Sequence, residues 1–162
     1  PVIAAIQGYR FGVGFEFSLA CDFRIVTQCA ELSLPEMKIG MIPGSGGSVR
    51  LARMIGLSRV KDMIMRGKRI SGEEAFNLGL ASELVDKDKI EITIEKLADE
   101  LCSISPLAQR AIKTVLNASQ DAPLHVAIEL EGETYGRLRS SNDFNEGVKS
   151  FVEKRKPIYK GN

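Results

Sequence analysis

A chain of 162 residues with 44% hydrophobic content can bury one sizeable core, and its length favours one domain with an appended helical segment. Its 22 basic and 21 acidic residues leave a net charge of +1, which gives no general electrostatic case for a nucleic-acid or membrane partner. Three cysteines, Cys21, Cys29 and Cys102, show no CxxC spacing, so they indicate neither a disulfide framework nor a zinc site and read as reduced thiols of a cytoplasmic or organellar-matrix protein.

The chain opens on an apolar run, residues 2–6, that reads as a strand. Gly12-Val13-Gly14 then supplies a tight turn into a helix over residues 15–21. A helix N-terminus placed there presents N–H groups without intrahelical partners, which suits an anion or an oxyanion formed during a reaction. Glu16 falls in the first turn of that helix. Its functional reading is a carboxylate beside the anion site; the bland one is a side chain that caps the helix and complements its dipole. Residues 32–34 read as a short strand that Pro35 stops, with Glu36 following in a loop. Flanked by Pro35, Met37 and Ile39, Glu36 is in apolar company, and burial next to a second carboxylate would let one of the two be protonated while the other is charged. That division suits acid and base work on one water. The competing reading pairs Glu36 with Lys38 or Arg24.

Pro43-Gly44-Ser45-Gly46-Gly47 allows close backbone approach and leads into a helix over residues 45–55. No Gly-Lys-Ser/Thr ending follows, which excludes a nucleotide-hydrolysing phosphate loop. A second helix spans residues 57–66 and ends at Gly67, with Met63 and Met65 as core filler. Ser71 and Glu74 form a capping box that opens a short helix closed by Gly79, and residues 82–85 read as a strand. From Asp88 onward the pattern is helical: Ile90, Ile94, Leu97 and Leu101 recur at helical spacing, Ser105-Pro106 opens another helix, a third follows Pro123, and a fourth carries Phe144, Val148 and Phe151. Their apolar stripes must be covered by the parent core or by a neighbouring subunit. His125, the only histidine, has no Cys, Ser or acidic partner at a recognisable spacing and reads as structural. No stretch has the unbroken apolar length of a membrane span, and the N-terminus lacks a charged leader followed by an apolar segment.

Gly8-Tyr9, Gly12-Val13-Gly14-Phe15-Glu16, Ala20-Cys21-Asp22, Leu34-Pro35-Glu36, Gly40, Ile42-Pro43-Gly44-Ser45-Gly46-Gly47 and Arg50-Leu51 resemble the crotonase (enoyl-CoA hydratase/isomerase) superfamily. The resemblance continues through Gly67-Lys68-Arg69-Ile70-Ser71, Gly79-Leu80 and the tail Glu146-Gly147, Phe151 and Glu153-Lys154-Arg155, in family order and with family-like spacing. It covers nearly the whole chain as the C-terminal three-fifths of a member. The fold it implies is α/β: a crotonase-like spiral of ββα turns over residues 1–87 and a helical trimerisation segment over residues 88–162, with trimers or hexamers as the assembly.

The chemistry implied by the resemblance is reversible hydration of a trans-2-enoyl-CoA to a 3-hydroxyacyl-CoA. Val13 N–H and a second N–H upstream of these residues hold the thioester oxygen, and removing one such donor costs on the order of 3 kcal/mol of activation free energy. Glu16 and Glu36 hold a water, Glu16 as base toward the β-carbon and Glu36 exchanging the proton at the α-carbon. Gly12, Gly14, Pro43 and Gly44 are assigned to substrate binding, Tyr135 to the adenine region and Lys154 to the CoA phosphates of an adjacent subunit; a solvated basic helix end is the plainer reading of Lys154. Coenzyme A arrives as part of the acyl-CoA substrate, so no separate cofactor or metal is expected. Keeping both glutamates favours a hydratase over an isomerase, which commonly needs only the carboxylate matching Glu36. A carnitinyl-CoA-type dehydratase is the other enzymatic alternative, and a non-catalytic assembly or RNA-binding module is the alternative of another class. Two departures stand out: Val13 in place of the usual glycine, and Arg10 where a small or apolar residue is frequent.

Overall fold

The computed structural model describes residues 1–162 as six strands and eight α-helices. Two compact units emerge, Val2–Lys96 and Leu97–Asn162. The first is built from repeated ββα turns. Strand β1 (Ile3–Ile6) leads through Gly8 into β2 (Tyr9–Phe11) and helix α1 (Val13–Ala20); β3 (Phe23–Thr27) leads into β4 (Glu31–Ser33) and then, after a 3-10 turn over Glu36–Ile39, into α2 (Gly47–Ile55) and α3 (Leu57–Met65). A shorter turn follows with β5 (Ile70–Ser71), α4 (Gly72–Asn77) and β6 (Glu83–Val85).

Each turn gives one strand to each of two sheets, ordered β1-β3-β6 and β2-β4-β5. The first sheet is parallel, with Ile3 opposite Phe23 and Ile25 opposite Glu83. In the second, β2 and β4 are parallel, whereas β4 and β5 are antiparallel. The corners also stack, since Glu31 N–H donates to Gly8 C=O. Gly8 has φ of 66°, a left-handed conformation that glycine adopts without cost.

Between the strands and helices lies the core: Ile6, Phe15, Leu19, Val26, Leu32, Leu34, Leu51, Val60, Met63, Ile64, Ile70 and Leu80 are all buried. Strands at Tyr9–Phe11 and Phe23–Thr27 are not anticipated by the sequence pattern. The first is too short for a period to register, and the second is paired on both sides, so non-local ladders rather than alternation define it. The strand expected at residues 32–34 begins one residue earlier, and the helix expected from Ser45 begins at Gly47, because Gly46 has φ of 86° and interrupts the helical path. Met63 fills the core as expected, but Met65 is exposed.

In the second unit, helix α5 (Ile90–Cys102), which also supplies the end of the first unit, is followed by α6 (Pro106–Ser119), α7 (Leu124–Arg139) and α8 (Asn142–Val152). Ser105 caps α6 by accepting from Ala108 N–H, with Pro106 at the first helical position. No helix is long and apolar enough to cross a membrane.

Candidate active site

The site begins at Gly12. Its φ of 55° and ψ of −132° make it the non-helical residue before α1, and its N–H donates to Ser33 C=O at 3.0 Å, tying the turn to β4. Val13 is then the first helical residue, and its N–H has no acceptor four residues back. The residue is 54% exposed, so the β-branched replacement for glycine projects outward and leaves the amide in place.

Glu16 lies on the buried face of α1 with Phe15, Ser18 and Leu19 and is only 3% exposed. Burying a carboxylate requires donors. They come from the glycine loop: Glu16 Oε1 accepts from Ser45 N–H at 2.9 Å and from Gly47 N–H at 2.8 Å. Glu16 therefore caps α2 rather than its own helix, which replaces the bland reading with a different structural task. Gly47 is needed for this contact, since a Cβ there would come within 2.5 Å of Glu16 Cγ. The loop is braced in turn by Arg50, whose Nη1 donates to Ser45 C=O at 2.8 Å.

Glu36 starts the 3-10 turn instead of lying in a loop. The apolar company expected from Met37 and Ile39 does not materialise: both face solvent, Ile39 at 80% exposure, because the tight turn directs successive residues outward. What covers Glu36 is the turn at α1. A Cβ on Gly12 would lie 3.0 Å from Glu36 Oε1, and Oε2 is buried with no hydrogen-bond partner. Of the alternative partners, Arg24 is engaged elsewhere. Arg24 donates to the carbonyls of Leu80, Ser18 and Cys21, and its burial lowers its pKa; Lys38 lies against Gly67.

One carboxylate is thus carried by α1 and the other is packed on the glycine that starts it. Of the remaining residues assigned to substrate, Pro43 is buried and Gly44 borders open space, with nothing within 4 Å of a Cβ placed there. Tyr135 and Lys154 belong to the helical unit; both are exposed, Arg139 lies 5.9 Å over the Tyr135 ring, and Lys154 takes a φ of 53° just beyond α8. Gly47, marked by the sequence for close backbone approach, and Arg10, marked as a departure, have contacts here that the sequence does not assign, Gly47 with Glu16 and Arg10 with Gly14. For Gly47 the signal was present as a glycine directly inside a helix start; for Arg10 it was the charge itself, on a strand otherwise of aromatic residues.

A family model described as Enoyl-CoA hydratase/isomerase matches residues 1–162. A carnitinyl-CoA dehydratase of Salmonella agona (strain SL483) is 38% identical over 170 aligned residues, covering 99% of this chain and 63% of the relative. An enoyl-CoA hydratase from Bacillus anthracis superimposes with a TM-score of 0.97 at 41% identity, covering 100% of this chain and 63% of that one. An enoyl-CoA hydratase/isomerase from Mycobacterium paratuberculosis does so with a TM-score of 0.94 at 31% identity, covering 100% and 64%. The chain spans 63% of the length of the curated relatives it matches.

Proposed function

Because the chain belongs to the enoyl-CoA hydratase/isomerase family, we propose that the protein hydrates trans-2-enoyl-CoA thioesters reversibly to 3-hydroxyacyl-CoA. The observation that carries this reading is that Glu16, on α1, is fixed by two loop amides, while Glu36, packed against the glycine that precedes α1, holds a buried oxygen without a partner. Glu16 Oε1 is committed to the loop, so its other oxygen is left to orient a water, and Glu36 Oε2 supplies the second acceptor.

In the forward direction Glu16 takes a proton from this water as its oxygen bonds to the β-carbon. The π electrons of the double bond shift toward the thioester, whose oxygen accepts the Val13 N–H as enolate charge develops. Protonated Glu36 gives its proton to the α-carbon, and the electron pair returns to form the new C–H bond. One water is consumed; Glu16 is left protonated and Glu36 ionised, and exchange of a proton between them through the next water resets the pair. Coenzyme A enters only as part of the substrate. Tyr135 is assigned to its adenine region and Lys154 to the CoA phosphates of an adjacent subunit in a trimer or hexamer, a reading supported by their exposure and by family resemblance.

Crotonyl-CoA hydration by the full-length protein tests the proposal through loss of the conjugated thioester absorbance. Glu16→Gln and Glu36→Gln should each lower kcat by roughly 10²–10⁴, the range for a general acid or base. If Glu16→Gln keeps full turnover and a 3-enoyl-CoA is isomerised, the protein is an isomerase and Glu16 is structural. The similarity to carnitinyl-CoA dehydratases supports a second reading, dehydration by the same two carboxylates; the guanidinium of Arg10 at the start of α1 disfavours a cationic acyl chain for it.

A further inference from the structure

The hydration chemistry makes no use of Arg10. This residue is the centre of β2, paired with Leu32 of β4, and two residues later the chain turns at Gly12 into α1. Its side chain runs along the first turn of that helix: a Cβ on Gly14 would come within 3.1 Å of Arg10 Cδ and 3.6 Å of Nη1. Gly14 has no positive φ, so the space taken by Arg10, rather than backbone conformation, accounts for a glycine there.

Arg10 Nε is buried and has no hydrogen-bond partner, a condition shared only with Glu36 Oε2. Both side chains flank one turn: Glu36 Oε1 would lie 3.0 Å from a Cβ on Gly12, and Arg10 Cδ 3.1 Å from one on Gly14. A buried polar group left unpaired costs about 1–3 kcal/mol, and more when it is charged. Two such side chains on one turn mark a position where a bound molecule supplies the missing partners. Arg10 as a whole is only half-buried, so part of its side chain is open to such a molecule.

The partner of Arg10 must be an acceptor. A guanidinium matches a carboxylate with two parallel hydrogen bonds, and the positive end of α1 adds to the attraction for an anion. A hydrocarbon chain would leave Nε unpaired, and a cationic one would be repelled. Resting on the hydratase reading, which brings the acyl chain to this turn, we propose that Arg10 is a specificity-determining residue that binds a carboxylate on the acyl chain. The substrate class is then the CoA monothioester of an unsaturated dicarboxylic acid.

The test compares two saturated, unreactive thioesters, glutaryl-CoA and butyryl-CoA, titrated calorimetrically into the full-length wild type, Arg10→Ala and Arg10→Lys. Wild type should bind glutaryl-CoA roughly tenfold or more tightly than butyryl-CoA, the scale of a hydrogen bond to a charged group. The ratio should fall toward one in Arg10→Ala, and Arg10→Lys, which keeps the charge but loses the fork, should retain part of it. A purely structural role for Arg10 would weaken both thioesters alike. A wild-type ratio near one, or a high ratio unchanged in Arg10→Ala, overturns the proposal, and where Arg10→Ala does not fold a ratio unchanged in Arg10→Lys overturns it. Hydration of crotonyl-CoA and of glutaconyl-CoA measured beside it reports separately: a wild type that hydrates neither ends the hydratase reading, while the two binding constants still decide on Arg10.

Discussion

Glu16 accepts its two hydrogen bonds from amides 29 and 31 residues further along the chain, so its orientation is set by how closely the glycine loop can approach α1. Gly47 sets that limit. A methyl group there must push Glu16 or the loop aside, since the nearest atom of Glu16 would be 2.5 Å away. Gly47→Ala is therefore expected to lower kcat for crotonyl-CoA by about 10²-fold, the scale of a small misplacement of a reacting group. It should also cost about 1–3 kcal/mol of stability, as for other overpacked sites. Kinetics together with denaturant unfolding checks both, and a variant with unchanged kcat would show that Glu16 needs no such anchor. Glu36 is placed differently. The carboxylate rests on a glycine whose own φ of 55° is hard for any side chain to adopt, so Gly12 is required twice over, once by its backbone and once by its neighbour.

Helix α8 holds the C-terminal tail by its carboxylates. Asp143 Oδ1 accepts from Lys160 and Gly161 N–H at 2.9 and 3.1 Å, while Oδ2 accepts from Ser105 Oγ at 2.7 Å. Glu146 meets Arg155 with two parallel bonds of 2.5 and 2.9 Å and also accepts from Ile158 N–H. These partners, Arg155 foremost, pull the Glu146 pKa down to about 2; Ser105 and the two tail amides lower that of Asp143. Both carboxyls titrate below their unfolded values, so their contribution to stability is complete above the unfolded value of 4.5 for Glu146 and is lost as pH falls toward about 2. Thermal melting of wild type and Glu146→Gln between neutral and acid pH should give a Tm gap that is widest above that value and closes toward pH 2. A gap independent of pH would mean that the ion pair contributes nothing beyond its shape. Salt should narrow the gap, because the pair is partly exposed.

At the scale of the whole molecule, the helical unit leaves large apolar side chains in solvent, among them Leu124 at 77%, Phe151 at 85% and Val152 at 73% exposure. Apolar faces of this kind mark interfaces, and the expected mass in solution is three or six copies. Light scattering coupled to gel filtration of the full-length protein measures it; Phe151→Asp should shift the mass downward, and a monomeric wild type would remove the subunit-sharing role given to Lys154. The glycine turns before α1 and α2, the capping box at Ser71, the stop at Gly67 and the four later helices were determined by the sequence itself. Each rests on the conformational limits of a few adjacent residues, or on an apolar period that runs through one segment. Only the tertiary structure decided the rest. The pairing of β1 with β3 and β2 with β4, the partners of Arg24, the exposure of Met37 and Ile39 and the anchoring of Glu16 by Ser45 and Gly47 all join residues far apart in the chain. Hydrogen-bond donors and packing surfaces have no address in sequence: which amide reaches a buried carboxylate is fixed by how one ββα turn stacks on the next.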